Sequence, residues 1–224
     1  MKIAIDGPAG AGKSSAAKEV ARRLGYKYLD TGAMYRAITL QALAQTIDLH
    51  DEDALVELTR HCELDIKSDA QEGDLILLNG NDITAEIRQP IVNKYVSIVA
   101  ASPGVRKELV NLQRRTAVKS GNIVMEGRDI GSNVLINADF KFYLSATVEA
   151  RAKRRWLEMK ERGIKIPFDE LLDEISMRDQ LDQEREDSPL CIAPDACVID
   201  TTPHSLVEVV DKIVTTINTN KCSR

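Results

Sequence analysis

The sequence has no long hydrophobic run, and we expect no leader segment. No stretch of about 18 consecutive apolar residues, the length that a membrane-spanning helix requires, occurs in the 224 residues. Met1 leads directly into Lys2-Ile3-Ala4-Ile5, without the charged and apolar leader of a secretory signal. We therefore expect a cytoplasmic protein that does not bind a membrane.

Cysteine is scarce, and its spacing indicates no pairing of one cysteine with another. The four cysteines are widely spaced and include no Cys-x-x-Cys motif, so neither a zinc site nor a disulfide framework is predicted. They are Cys62, Cys191, Cys197 and Cys222. We expect reduced thiols that pack in the fold or lie on its surface.

An excess of positive charge is also absent. The chain has 30 Lys and Arg residues against 35 Asp and Glu residues, a net charge of −5. Binding a long polyanion depends on clustered, uncompensated basic residues. We therefore expect no nucleic-acid polymer as a partner, whereas a small phosphorylated ligand needs positive charge only locally.

Strand-like and helix-like segments alternate along the chain, which predicts an α/β fold with a parallel sheet between helices. The predicted strands are short and apolar, as buried parallel strands are. They span 2–6, 27–29, 123–126, 140–144 and 197–200. The predicted helices span 13–24, 34–44, 90–101, 105–119, 148–162, 169–186 and 206–217.

Residues 63–84 depart from this alternation. They contain strand-type segments around 64–66 and 75–78, and Asn79-Gly80 is a strong signal for a tight hairpin turn. This pattern predicts a small antiparallel insert between the second and third core strands. An excursion of that kind is where an α/β enzyme can build a second substrate pocket.

A complete phosphate-binding loop follows the first predicted strand. The motif G-x-x-x-x-G-K-[ST] lies between an apolar strand and an amphipathic helix, which is the context its chemistry requires. Its glycines let backbone N–H groups surround phosphate, its lysine reaches the β and γ oxygens, and its Ser14 hydroxyl can ligate Mg²⁺. The residues predicted to bind nucleotide are Gly7, Pro8, Ala9, Gly10, Ala11, Gly12, Lys13, Ser14 and Ser15.

The loop alone does not separate kinases from GTPases or nucleotide-driven switches. A regulatory GTPase needs a guanine-reading N-K-x-D motif. The chain has only Asn93-Lys94-Tyr95-Val96, which lacks the aspartate and falls in a helical pattern. A GTPase is therefore not expected.

Two further segments carry the marks of an anion site at the edge of the sheet. Residues 30–36 place a hydroxyl, a glycine and Arg36 around a helix start, although an ordinary helix cap with a surface arginine would look the same. Residues 127–131 place Arg128 and Asp129 directly after an apolar strand. Open α/β sheets bind ligands at that edge.

Two helices carry patterned arginines. Arg151, Arg154 and Arg155 lie at i, i+3 and i+4 and can converge on one polyanion or form a solvated basic face. The second set, Arg178, Asp182 and Arg185, also shares one helix face, where pairwise helix stabilisation is the simpler explanation. Beside a phosphate-binding loop, the repeated arginines favour phosphate binding.

Together these residues resemble the bacterial cytidylate kinases over essentially the whole chain. The β-rich insert is typical of that family, and the shorter nucleoside monophosphate kinases of the eukaryotic cytosol lack it. The resemblance implies a P-loop kinase with a five-stranded parallel sheet flanked by helices, an inserted NMP-binding domain with a small antiparallel β element, and a short lid. It rests on 7–14, 30–36, Ser97, Pro103, Arg106, 127–131, 151–155 and the Arg178, Asp182, Arg185 spacing.

The resemblance also implies a role for each of these residues. Catalysis would involve Lys13, Arg128, Arg151, Arg155 and Arg178, and Arg154 would join the loop at ATP. The CMP phosphate would lie near Thr31, Tyr35, Arg36 and Arg128, with Arg178 close to the phosphates, and Gly127 would belong to the CMP site. Cytosine would be bound by Ser97, Arg106 and Asp129, and the ribose by Asp182 and Arg185.

The implied domains are a P-loop core over 1–30, 104–150 and 186–224, an NMP-binding domain over 31–103 with its insert near 62–88, and a lid with its following helix over 151–185. A monomer is expected. The segment 151–168 is expected to be mobile without ligand, because its arginines repel one another until phosphate binds.

The implied reaction transfers the γ-phosphoryl group of ATP, with Mg²⁺, to CMP or dCMP. Two alternatives remain open, namely another acceptor such as UMP or dTMP, and a nucleotide-gated switch without an acceptor. Two residues depart from the family pattern. Thr31 replaces a common serine and keeps its hydroxyl, whereas Glu126 replaces a common aspartate and is one methylene longer, which leaves a water-mediated role near Mg²⁺ open.

Overall fold

The computed structural model describes residues 1–69, 73–161 and 163–221. Cys222, position 162 of the predicted lid and positions 70–72 of the predicted insert lie outside that range. The strands are β1 (Lys2–Asp6), β2 (Lys27–Asp30), β3 (Leu64–Asp69), β4 (Gly73–Leu78), β5 (Asn81–Asp82), β6 (Ile123–Gly127), β7 (Phe140–Ser145) and β8 (Cys197–Asp200).

Eight helices connect the strands within the described residues. They are α1 (Lys13–Leu24), α2 (Thr31–Ala44), α3 (Glu52–His61), α4 (Pro90–Ala101), α5 (Pro103–Ser120), α6 (Val148–Glu161), α7 (Phe168–Glu184) and α8 (Leu206–Lys221). None of those described is long and apolar enough to cross a membrane.

Five strands form one parallel sheet in the order β2-β6-β1-β7-β8. The predicted fold class is confirmed. Because β1 and β6 are neighbours, the loops that follow them meet at the same edge of the sheet. Open parallel sheets bind ligands outside the carboxyl ends of such strands.

Two hydrophobic cores cover the faces of this sheet. One packs α2 to α5 against residues such as Ala4 and Met125, and the other packs α1 and α8 against Ile3 and Ile5. Helix α1 lies close to the sheet because its buried face carries alanines, and Gly25 ends it in a left-handed conformation, with φ at 66°.

The antiparallel insert is present and has three strands, β3-β4-β5. Asn79 and Gly80 form its turn, both with positive φ, as the hairpin signal predicts. Ile76 of the insert and Ile87 pack against Ala33 and Ala37 of α2. The insert is thereby attached to the helix that follows the second core strand.

The start of the phosphate-binding loop packs tightly against β7. Gly7 has φ at 146°, and a Cβ atom built on it would lie 2.1 Å from the backbone oxygen of Leu144. Backbone cannot yield as a side chain can. Only glycine therefore fits where β1 passes into the loop.

We predict that Gly7→Ala lowers the free energy of unfolding by about 3 kcal/mol or more, since it combines an unfavourable φ with a backbone clash. Gly121→Ala is the matched control, because Gly121 has φ at 68° and open space around its Cβ position. That variant should lose about 1–2 kcal/mol. Urea denaturation measures both, and equal losses would contradict the close approach.

Candidate active site

A cavity of about 570 Å³ opens at the edge of the sheet where β1, β2 and β6 end. It brings together segments that are distant in sequence. The residues predicted from sequence that line it are Ala9, Gly10, Gly12, Lys13, Ser14, Ser15, Thr31, Tyr35, Arg36, Ser97, Arg106, Gly127, Arg128, Asp129, Arg154, Arg155, Arg178, Asp182 and Arg185. Gly7, Pro8, Ala11 and Arg151 are not part of this lining.

The phosphate-binding loop forms one end of the cavity. Gly10 and Gly12 adopt positive φ values of 76° and 86°, and α1 begins at Lys13. The Lys13 side chain is buried and donates to the backbone oxygen of Pro8 at 2.8 Å. Burial, together with the nearby Arg128 charge, lowers the pKa of Lys13 to about 7. Phosphate bound in the loop would favour the charged amine.

Side-chain oxygens that could bind a metal ion lie beside Lys13. Glu126 is buried, accepts a hydrogen bond from Tyr28 Oη at 2.9 Å and is also hydrogen-bonded to the Ser14 hydroxyl. Burial, and then the neighbouring Asp30 carboxylate, raise the pKa of Glu126. Two carboxylates and a hydroxyl are hard donors of the kind Mg²⁺ prefers, so these residues fit a divalent cation shared with bound phosphate.

The middle of the cavity concentrates arginines. Arg36 pairs with Asp30 at 2.6 Å, and Arg128 pairs with Asp182 at 2.7 Å. Arg178 of α7 is half-buried among them, and its buried Nε has no hydrogen-bond partner within the described residues. Burial and the charge of Arg128 lower its pKa to about 10. This cluster is short of negative charge and suits a phosphate group.

The far end of the cavity is a buried polar pair. Arg106 of α5 contacts Asp129 after β6, with 2.5 Å between Nη2 and Oδ2, and their side chains are 1% and 7% exposed. Arg106 also donates to Tyr35 Oη at 3.3 Å. Burial raises the pKa of Tyr35 to about 12, so the phenol stays neutral. Ser97 lines the wall from α4.

The structure separates the three arginines at the start of α6. Arg155 lines the cavity and contacts Glu158 at 3.3 Å, and Arg154 donates to the Thr201 backbone oxygen at 2.5 Å. Arg151 instead pairs with Asp179 of α7 at 2.6 Å and donates to the Ala9 oxygen at 3.1 Å. In this arrangement Arg151 holds the phosphate-binding loop and does not face the cavity.

Sequence reasoning missed Asp6, the last residue of β1. Its carboxylate oxygens accept the backbone N–H groups of Ile130 at 2.8 Å and Gly131 at 2.7 Å. The strand that leads into the phosphate-binding loop is thereby joined to the loop that carries Arg128 and Asp129. The available signal was an acidic residue directly after the apolar run Ile3-Ala4-Ile5.

The fold and the phosphate-binding loop define a P-loop phosphotransferase whose cavity is also lined by arginines. The family model for cytidylate kinase matches residues 3–219. A cytidylate kinase from Bacillus velezensis is 52% identical over 96% of this chain and 95% of its own length. One from Caldanaerobacter subterraneus subsp. tengcongensis is 48% identical, covering 98% of this chain and 96% of its own length. The chain belongs to the cytidylate kinase family.

Comparison with solved structures supports the fold and carries no information on function. An uncharacterized protein from Eubacterium ventriosum superposes with a TM-score of 0.54 at 12% sequence identity, with 98% of each chain covered. At that identity, the likeness concerns the arrangement of sheet and helices.

The buried Asp6 carboxyl generates a pH prediction. Burial outweighs its two backbone hydrogen bonds and raises its pKa from 3.8 to about 6. Its contribution to stability is therefore complete below pH 3.8 and is lost as the pH rises through about 6, a change of about 3 kcal/mol. Asn at this position does not titrate.

We therefore expect the unfolding free energy of Asp6→Asn, relative to that of the unsubstituted protein, to improve by about 2 kcal/mol between pH 4 and pH 7, because the unfolded carboxyl is already more than half ionised at pH 4. Urea denaturation of both proteins at the two pH values measures this, and other titrating groups cancel in the difference. A difference that does not vary with pH would show that Asp6 has an ordinary pKa.

Proposed function

We propose that this protein transfers the γ-phosphoryl group of ATP to CMP or dCMP, giving ADP and CDP or dCDP. The observation that carries the proposal is the order of groups in one cavity. The phosphate-binding loop lies at one end, the buried pair Arg106 and Asp129 at the other, and unsatisfied arginines between them. Membership of the cytidylate kinase family supports the same substrates.

The acceptor requires little chemical activation. The second pKa of a phosphate monoester is about 6, so the attacking oxygen is already ionised at neutral pH, and no general base is needed. Catalysis then consists of in-line positioning and neutralisation of charge on the transferring group. Lys13 would bind the donor phosphates, and Arg36, Arg128 and Arg178 would bind the acceptor phosphate; all four line the cavity.

Magnesium is part of the proposal. Ser14 would hold it, with Glu126 and Asp30 close by. When bound, the ion supplies positive charge to the donor phosphates. The Thr31 hydroxyl lies beside Glu126 and donates a hydrogen bond to its backbone oxygen at 2.7 Å.

Base selection follows from donor and acceptor chemistry. Cytosine presents an amino donor at N4 and acceptors at N3 and O2, whereas uracil presents an acceptor at O4 and a donor at N3. Asp129 only accepts and Arg106 only donates. Cytosine facing this pair satisfies both groups, while uracil opposes like with like. Buried polar groups left unpaired in this way discriminate strongly.

The domain division is also proposed. Three units would move relative to one another. They are the core over 1–30, 104–150 and 186–224, the NMP-binding part over 31–103, and the lid with its following helix over 151–185. The insert's contact with α2 supports the second unit. Arg151 and Arg154 contact the phosphate-binding loop, and these contacts would couple movement of the lid to that loop. We further propose a monomer in the cytoplasm.

A coupled assay of ADP formation tests the proposal over a panel of CMP, dCMP, UMP and dTMP. We expect CMP and dCMP to stimulate turnover and kcat/KM for UMP to be lower by as much as ~10⁴-fold, less if water enters the pocket. Lys13→Ala should lower the stimulated turnover at least ~10²-fold with unchanged far-UV circular dichroism.

Each other outcome has a definite meaning. Equal kcat/KM for CMP and UMP would show that Arg106 and Asp129 do not select the base. Preference for dTMP would identify another acceptor, and slow turnover indifferent to every monophosphate would indicate a nucleotide-gated switch. Full activity of Lys13→Ala would contradict the role of the phosphate-binding loop.

A further inference from the structure

Within the described residues, the Asp129 carboxylate accepts three side-chain hydrogen bonds. Its Oδ1 accepts from Arg185 at 3.2 Å, and its Oδ2 accepts from Arg106 at 2.5 Å and from Asn133 Nδ2 at 3.0 Å. The two arginines belong to the residues expected at the substrate. Asn133 was not singled out by any sequence motif, and it is not part of the cavity lining.

Asn133 links Asp129 to the loop that follows α7. Its Nδ2 also donates to Ser188 Oγ at 3.0 Å, and that hydroxyl donates to Asp187 Oδ1 at 2.6 Å. Asp187 returns to Arg106, with its Oδ2 at 3.6 Å from Nε. These contacts form a closed ring that includes Arg106 and Asp129. Asn133, Ser188 and Asp187 contact this pair on the side away from the proposed base.

The asparagine is itself fixed in place. It lies in a single π-helical turn, Ile130–Val134, where its backbone N–H donates to the Asp129 oxygen at 2.9 Å. Arg114 donates to its backbone oxygen at 2.8 Å. A carboxylate neighbour requires the amide nitrogen, and not the amide oxygen, to face Asp129. Asn133 is therefore a rigid donor.

The loop beyond Ser188 depends on the same ring. Ser188 has φ at 51°, a conformation uncommon for residues other than glycine, asparagine and aspartate. Its backbone oxygen accepts from Arg185 Nε at 2.6 Å. Asn133 and Arg185 thus hold this loop and both oxygens of Asp129 at once.

Building on the proposed function, we infer that Asn133 is a positioning residue for base selection, which orients the Asp129 carboxylate toward the base. A carboxylate accepts about four hydrogen bonds. Three come from Arg185, Arg106 and Asn133, which leaves one acceptor position on Oδ1 for the amino group of cytosine. Without Asn133 the carboxylate rotates and water satisfies it, so an unmatched base is penalised less.

The test compares kcat/KM for CMP and UMP in the unsubstituted protein, in Asn133→Ala and in Asn137→Ala. Asn137 is an exposed asparagine in the segment that follows the same turn, so it is the matched control. We expect Asn133→Ala to lower the CMP-to-UMP ratio ~10-fold, through a higher KM for CMP with KM for ATP unchanged. Asn137→Ala should keep the ratio of the unsubstituted protein.

The outcomes separate this inference from the proposed function. No CMP-stimulated turnover in the unsubstituted protein would refute the function itself. Strong CMP preference there, with equal losses for CMP and UMP in Asn133→Ala, would show a merely structural role and overturn the inference alone.

If Asn133→Ala does not fold by circular dichroism, Asn133→Asp keeps the size and places a like charge beside Asp129. This second variant should lose CMP activity more than UMP activity. An unchanged ratio in a folded Asn133→Asp would also overturn the inference.

Discussion

Buried and half-buried positive charge without enough negative charge is the constraint on which this structure depends. Lys13, Arg128 and Arg178 lie within one cavity, and burial opposes the charged form of each. Asp182 compensates Arg128, whereas Arg178 Nε has no partner within the described residues. Desolvating cations without pairing them costs stability. The arrangement makes sense when phosphate supplies the missing charge.

The rest of the fold keeps these cations close together. Adjacent strands β1 and β6 deliver the phosphate-binding loop and the Arg128 loop to the same edge, and the Asp6 carboxylate joins the two loops through backbone N–H groups. Gly7 lets the first loop pass close to β7. Helix α7 then brings Arg178 and Asp182 over the cavity. Residues of the proposed donor and acceptor sites therefore line one cavity at this edge of the sheet.

The predictable features were those whose chemistry is local. The phosphate-binding loop, the Asn79-Gly80 turn and the bounds of β1, α1 and α4 follow from glycine, proline and apolar spacing, and the structure confirms them. Helix α3 was missed, because its apolar pattern is only ten residues long. Joining Arg106 to Asp129 needed the family resemblance, since distant segments supply the two residues.

The sequence did not predict the direction in which individual side chains point. Arg151, Arg154 and Arg155 share a helix face by spacing, yet the close approach of Gly10 to Arg151 turns this first arginine toward the phosphate-binding loop and Asp179. Asp6 and Asn133 act through backbone groups and a neighbouring carboxylate. No motif reports such contacts, because they depend on how loops from different strands meet.

Calorimetric titration with CMP and with cytidine, which lacks only the phosphate, tests the central claim most directly. If the unsatisfied arginines are built to receive the acceptor phosphate, cytidine should bind at least ~10²-fold more weakly than CMP, the loss expected for two or more charge-assisted hydrogen bonds. Equal affinity for the two ligands would show that the arginine cluster does not hold the acceptor phosphate and would contradict the account.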